Sequence, residues 1–255
     1  MARVHPKSKE EIALMRESCR IVAEVLALVG TRIRAGVRAE ELDAFAEEYI
    51  RSKGAVPAFK GYGPDKQNLF PGTLCVSIDA EVVHGMPDGR GLEEGQIVSI
   101  DVGVHKDGYF GDGARTFAVG RIAAAKDRLL RVTEEALGKA IEQVRPGNHV
   151  GDISAAIQGH VESRGFSAVR DFVGHGIGKF MHERPQIPNF GLPGRGVRLK
   201  PGMILAIEPM INAGGYAVEI LEDGWTAVTR DRSLSAHFEH SVAVTENGPY
   251  ILSQL

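Results

Sequence analysis

Asp101 and Asp112 are the first residues in this chain from which a chemistry can be read. They flank Asp107-Gly108, a strong turn signal, because both central residues of a type I′ turn need positive φ. A turn centred there makes residues whose numbers sum to 215 face each other, so Asp112 lies opposite Gly103, two residues from Asp101. Cross-strand partners share a face, as do i and i+2, so the two carboxylates project from the same side as diagonal neighbours. Two anions held together cost energy unless a proton or a cation sits between them. A pair of solvated carboxylates beside a turn is the alternative, and the hairpin alone does not decide between them.

Three further groups bear on the choice. Met203–Pro209 alternates, with Ile204, Ala206 and Glu208 on one face, and Pro209 holds Glu208 extended at the strand end. A strand expected over Ala236–Val244 puts His237, Glu239, Ser241 and Ala243 on one face. His175 sits in Val173–Gly178, too glycine-rich for a helix or a stable strand; its flanking glycines would let the backbone approach whatever the imidazole binds. If Asp101, Asp112, Glu208 and Glu239 converge they repel strongly, and cations are the natural remedy. Carboxylates with one imidazole suit Mn²⁺, Fe²⁺ or Co²⁺ better than a thiolate zinc site would. Four carboxylates exceed the need of one divalent ion; two ions sharing carboxylates, about 3.5–4 Å apart, match the count.

The elements that must position these groups are legible in the same way. Val98, Ile100, Val102 and Val104 form the apolar face of the first hairpin strand and anchor it in a core. Ser8-Lys9-Glu10-Glu11 has the form of a capping box, followed by a stripe of Ile12, Met15, Cys19, Val22, Leu26 and Val29 up to Gly30. Cys19 lies on that stripe and reads as a small core residue. A second helix is expected over about Ala39–Lys53, loop over Val56–Pro71, and strands at Leu74–Ile78 and before His84. Helices at about Lys126–Val144 and Val150–Arg164 follow the hairpin. A shift of 111 aligns Arg34-x-Gly36 with Arg145-x-Gly147, Leu42 with Ile153, Ala44 with Ala155 and Gly54 with Gly165. We read this as a duplicated α-α-β unit in one domain over 1–255, with pseudo-repeats about 8–120 and 121–255 after a short leading segment, and a site between the halves.

Bulk properties narrow the function classes. With 30 basic and 33 acidic residues and no basic block, the chain lacks the electrostatic footprint of a DNA-binding protein. Two cysteines are too few for a disulfide framework and fit a reducing compartment. The start, M-A-R-V-H-P-K, has no apolar signal core, and no run approaches a membrane span, so a cytoplasmic location is expected. There is no P-loop, dinucleotide fingerprint, H-E-x-x-H or G-x-S-x-G elbow.

The ordered strings V-V-H-G-M-P (82–87), I-D-V-G (100–103), G-D-G-A-R-T-F (111–117), G-H-G-I-G-x-x-x-H-E (174–183), I-E-P-M (207–210) and S-L-S-A-H-F-E-H (233–240) resemble the type I methionine aminopeptidases, collinearly from about Pro6 to the end. The resemblance implies the pita-bread fold, an α/β (α+β) architecture of two pseudo-symmetric halves around a central antiparallel sheet. It implies two divalent ions (Co, Mn, Fe or Zn) held by Asp101, Asp112, His175, Glu208 and Glu239, with Asp112 and Glu239 bridging. It implies that His84 and His182 contact substrate, that Glu208 acts as general base, and that Tyr62, Phe70, Cys75, Met181 and Trp225 form a methionine pocket admitting only small second residues. Nascent polypeptide N-termini near the ribosome exit would be the partners of a monomer of the bacterial kind, with no DNA and no membrane. Three departures stand out: His237 where the family usually has Gln, Asp79-Ala80 where Asn and an acidic residue are common, and an apparent insertion at Pro64–Asn68. An Xaa-Pro peptidase and a non-catalytic binding protein on the same fold are the rival readings.

Overall fold

The computed structural model describes residues 4–63 and 65–255; Pro64, at the head of the apparent insertion, and the first three residues lie outside the described residues. The amino-terminal part runs α1 (Lys9–Gly30), α2 (Ala39–Ser52), the short β1 (Val56–Pro57), β2 (Leu74–Ile78), β3 (Glu81–Val83), and the hairpin β4 (Ile97–Lys106) and β5 (Tyr109–Ala118). The carboxy-terminal part runs α3 (Ala124–Glu142), α4 (Val150–Glu162), β6 (Ser167–Ala168), β7 (Val173–Gly176), β8 (Glu183–Pro188), β9 (Ile204–Ile207), β10 (Met210–Asn212), β11 (Val218–Ile220), β12 (Ala227–Thr229), β13 (Ser235–His237), β14 (His240–Thr245) and β15 (Gly248–Ile251). Among the described residues no helix is long and apolar enough to cross a membrane.

Local chemistry sets the starts and turns. Ser8 Oγ accepts from the Glu11 amide and Glu11 Oε2 accepts from the Ser8 amide, so the capping box forms as its spacing predicts. Asp107 and Gly108 take φ values of 50° and 83°, and β4 and β5 pair in the predicted register, Gly103 against Asp112 and Asp101 against Ala114.

β4 carries β5 on one edge and both β1 and β2 on the other; every pairing is antiparallel. The fully buried Val98, Ile100, Val102 and Val104 pack with Val22, Val25 and Leu26 of α1 and Leu42 and Ile50 of α2. Each such side chain contributes about 1.5–3 kcal/mol by leaving water, which ties the carboxylate-bearing strand to its helices. A second core gathers Leu129 and Val132 of α3, Ile153 and Ile157 of α4, and Leu205 and Val242 of a five-stranded sheet ordered β15-β14-β9-β7-β8. The two cores meet where β5 faces β13 and β14. There Glu239 N–H donates to Ala114 O at 2.8 Å, and Ser241 Oγ–H donates to Asp112 O at 2.9 Å.

Two sequence expectations are corrected here. The glycine-rich stretch at 173–176 is a strand, β7, with β8 on one side and β9 on the other. Its glycines serve strand packing: a Cβ on Gly174 would sit 2.4 Å from Ala206 O, and one on Gly176 2.3 Å from Arg184 O. Ala236–Val244 is not one strand. It breaks at Phe238-Glu239, because β13 bonds β10 in one sheet while β14 bonds β9 in another, and the chain crosses between them. Simple alternation therefore does not set where Glu239 points; the bond of its amide to β5 does.

Candidate metal centre and active site

Four elements aim polar side chains at one point between the two cores. Asp101 and Asp112 come from the hairpin, His175 from β7, Glu208 from the residue after β9, and Glu239 from the crossing between β13 and β14. Donor atoms of Asp112, His175 and Glu239 all lie within 4.8 Å of one another, and all three residues are buried. His175 Nε2 is 3.6 Å from Glu208 Oε1 and 3.7 Å from Asp112 Oδ2. Asp101 Oδ1 and Glu239 Oε1 are buried without a hydrogen-bond partner among the described residues.

The tautomer of His175 follows from its neighbour. Nδ1 lies 2.9 Å from Gly176 O, which only accepts, so Nδ1 carries the proton and Nε2 turns a lone pair toward the carboxylates. Lone pairs facing lone pairs in a dry site repel unless something positive lies between them. The titration behaviour states the same conflict. Burial lifts Asp101 to about 7, and burial with the charges of Asp101 and Glu208 lifts Asp112 well above the usual carboxylate range. Glu208 rises through burial and then Asp101; Glu239 rises through burial and then Asp112, Glu208 and Asp101. Burial pulls His175 down to about 3, with His182 adding to the effect. Unpartnered oxygens, an imidazole lone pair and mutually repelling carboxylates together make a donor set that fits divalent cations.

A cavity of about 140 Å³ opens from this cluster. All five candidate ligands line it, together with His84, His182, Tyr62, Phe70, Cys75 and Trp225. Met181 does not. It is buried in a separate cluster with Met15, Cys19 and Ile177, and it packs on Gly103, where an added Cβ would meet its Cε at 2.9 Å. Phe59 lines the cavity instead, and sequence reasoning did not single it out. Its place follows from the Ala58 N–H bond to Gly103 O at 2.9 Å, a pairing to β4 that the preceding Pro57 obscures in the sequence.

The two histidines at the cavity differ in support. His182 Nδ1 lies 2.7 Å from the Tyr62 hydroxyl, and its ring meets that of His175 at 4.4 Å between centroids. His84 holds φ at 60°, an unusual conformation for a residue with a Cβ, and its ring edge faces Phe172 and Trp225 at 5.3 and 6.4 Å. Burial draws its pKa down to about 4, so it is neutral at physiological pH. Cys75 pairs across the sheet with Asp101, and burial pushes its thiol well up, so it serves as an uncharged wall. His237 is fully buried, with Nε2 3.8 Å from Glu208 Oε2 and no hydrogen-bond partner. Asp79, the second departure, takes φ of 51° and accepts from Lys126 Nζ at 2.6 Å, away from the cavity lining.

Comparison with known proteins agrees with this geometry. The pattern of metallopeptidase family M24 matches residues 13–246. A methionine aminopeptidase of Clostridium perfringens is 51% identical over 248 residues, 97% of each chain. The crystal structure of a methionine aminopeptidase from Thermotoga maritima superposes with a TM-score of 0.96 at 45% identity, covering 99% of this chain and 100% of that one. A prolidase from Pyrococcus furiosus shares the fold at a TM-score of 0.77 and 24% identity, but the match covers 65% of its length. The architecture is the pita-bread fold, and the chain belongs to the methionine aminopeptidases of metallopeptidase family M24.

Proposed function

We propose that this chain hydrolyses the amide bond that follows an N-terminal methionine, acting on nascent polypeptides whose second residue is small. The observation that carries the reading is the buried cluster of Asp112, His175 and Glu239 in a cavity also walled by Phe59, Phe70 and Trp225. Thioethers suit such surroundings, and Phe59, Phe70 and Trp225 supply aromatic faces for the methionine side chain. Asp101, Asp112, His175, Glu208 and Glu239 would hold two divalent ions, of Mn, Fe, Co or Zn, with Asp112 and Glu239 shared. Bound there, such ions supply an activated water near neutral pH and polarise the scissile carbonyl.

The residues of the chain do the rest. Glu208, already inclined to keep a proton by burial and by Asp101, takes one from the attacking water and returns it to the departing amine. Tyr62 O–H donating to His182 Nδ1 leaves the proton of His182 on Nε2, where it donates to the developing oxyanion. His84, neutral and braced by Phe172, holds the nitrogen of the scissile amide. The aromatic walls of the cavity orient the first side chain.

We further read the two helix pairs, α1-α2 and α3-α4, as the legs of a duplicated unit, a cytoplasmic monomer working near the ribosome exit as the setting, and the ligand-bearing halves as one catalytic domain. The test is release of methionine from Met-Ala-Ser and Met-Leu-Ser by chelated protein re-supplied with Mn²⁺, Co²⁺, Fe²⁺ or Zn²⁺, beside Ala-Pro. Metal-dependent release from Met-Ala-Ser well above the other two is expected. Preference for Ala-Pro would transfer the reading to the Xaa-Pro peptidases, and no turnover with any ion would leave a binding protein.

A further inference from the structure

Two surface segments contribute aromatic side chains to the cavity wall. One comprises residues 61–63 and 65–70. Its base is closed by Gly61 N–H to Phe70 O and Phe70 N–H to Tyr62 O, both 2.8 Å. The other is the turn at 223–226, shaped from within by Asp223, whose Oδ1 accepts from the Trp225 and Thr226 amides at 2.8 Å. Trp225 stands on that turn, its ring plane crossing those of Phe70 and His84 at 74° and 83° with centroids 5.3 and 6.4 Å away.

Asn68 joins the two loops with both ends of its amide. Oδ1 accepts from Trp225 Nε1 at 3.2 Å, and Nδ2 donates to Asp223 O at 3.2 Å. The fit extends to the backbone. A Cβ on Gly224 would sit 2.7 Å from Asn68 Nδ2, and one on Gly63 would sit 3.1 Å from the Trp225 ring and 3.3 Å from Asn68 O. An indole N–H has one bond to give, and here it goes to Asn68. The contacts of Trp225 with Phe70 and His84 are apolar and undirected; the bond at Nε1 is the directional one that sets the ring's angle about the turn.

We propose that Asn68 is a specificity-setting positioning residue: its amide fastens the Asp223–Trp225 turn to the 61–70 loop and so fixes Trp225 as a wall of the side-chain cavity. The proposal rests on the aminopeptidase reading for the identity of what fills the cavity. The clamp itself does not depend on that reading. Fixing the wall favours an unbranched first side chain, because a flat ring held against Phe70 leaves a slot without room for a branch at Cβ or Cγ. Releasing it widens the slot and weakens its hold on methionine.

Trp225 is the single tryptophan of the chain, so its emission reports the clamp without any turnover. The experiment compares wild type with Asn68→Leu, which keeps shape and removes both bonds, and Asn68→Asp, which keeps an acceptor for the indole. Asn68→Leu is expected to shift emission to the red and to raise KM for Met-Ala-Ser about three- to tenfold, the worth of one or two neutral hydrogen bonds, with kcat nearly unchanged. Its preference for Met-Ala-Ser over Leu-Ala-Ser should fall by a similar factor. Asn68→Asp, which keeps the indole bond and loses the one to Asp223 O, should fall between wild type and Asn68→Leu in both emission and preference. Wild-type emission and KM in Asn68→Leu would overturn the proposal, as would a fall in kcat at constant KM. If wild type releases no methionine, the peptidase reading fails, while the emission comparison still decides whether the clamp exists.

Discussion

Glu208 carries the most chemistry of any single side chain, since its two oxygens face two different imidazoles, His175 at 3.6 Å and His237 at 3.8 Å. Glu208→Gln keeps its shape and removes its basicity, so kcat for Met-Ala-Ser should fall by about 10²–10⁴-fold while the fold stays intact. A loss under tenfold in steady-state turnover would assign the proton transfer elsewhere. His237 is expected to act through Glu208. Thr116 Oγ1 grips its backbone on both sides, donating to His237 O at 2.8 Å and accepting from His237 N–H at 2.9 Å, which fixes where the side chain leaves β13. His237→Leu, which removes the imidazole 3.8 Å from Glu208 Oε2, should lower kcat by up to about tenfold, and His237→Gln should restore most of it. Equal turnover and metal affinity in wild type and both variants would reject the role. Residue types were the most legible part of this site. The acids and the imidazole stand out because a charged group in an apolar strand needs a reason, whereas Phe59 in an aromatic-rich loop does not.

Elements were legible where the cause is local and opaque where it is not. The capping box at Ser8 and the turn at Asp107-Gly108 are decided within a few residues, and both form as their spacing predicts. β7 and the break at Phe238-Glu239 depend on which strands lie alongside, which no window of the sequence contains. β7 also supplies a test. Because Gly174 lies against Ala206 O, backbone of a neighbouring strand, the neighbour cannot give way as a flexible side chain would. Gly174→Ala should destabilise the protein by about 1–3 kcal/mol or more through overpacking. At this chain length that is a fall of roughly 2–4 °C in Tm per kcal/mol. The displaced strand carries His175, so metal affinity should fall with stability. Gly159, with open space around it on α4, is the control: Gly159→Ala should raise Tm slightly through helix propensity. A Gly174→Ala protein as stable as wild type would contradict the packing of β7 described above.

For the molecule as a whole, the carboxylate cluster couples stability to pH in a direction opposite to that of most proteins. In chelated protein above about pH 7.5, a full unit past the ordinary histidine value, the buried His84, His175 and His237 are almost wholly neutral in the folded and unfolded chain alike, so they contribute little to the slope. The carboxylates differ between the two states. Unfolded, they ionise near pH 4, about their ordinary value. Folded, Asp101 is held up to about 7, and Asp112, Glu208 and Glu239 are raised well above the usual carboxylate range, chiefly by burial. The fold therefore binds more protons than the unfolded chain, and its stability falls as pH rises from the unfolded values through the raised folded ones, by about 1.4 kcal/mol per pH unit for each proton retained. Below about pH 7.5 the histidines act with the other sign. His84 and His175, drawn down to about 4 and 3, take protons on unfolding and make acid destabilising. Divalent ions reverse the alkaline slope, because the ligands give up their protons to bind and affinity grows with pH. Thermal unfolding between about pH 7.5 and 8.5, with chelator and with Mn²⁺, should show the chelated Tm falling and the gap between the two curves widening. A chelated Tm that is flat or rises over this window would mean that the four carboxylates do not share a common buried centre, and the metal chemistry would lose its structural basis.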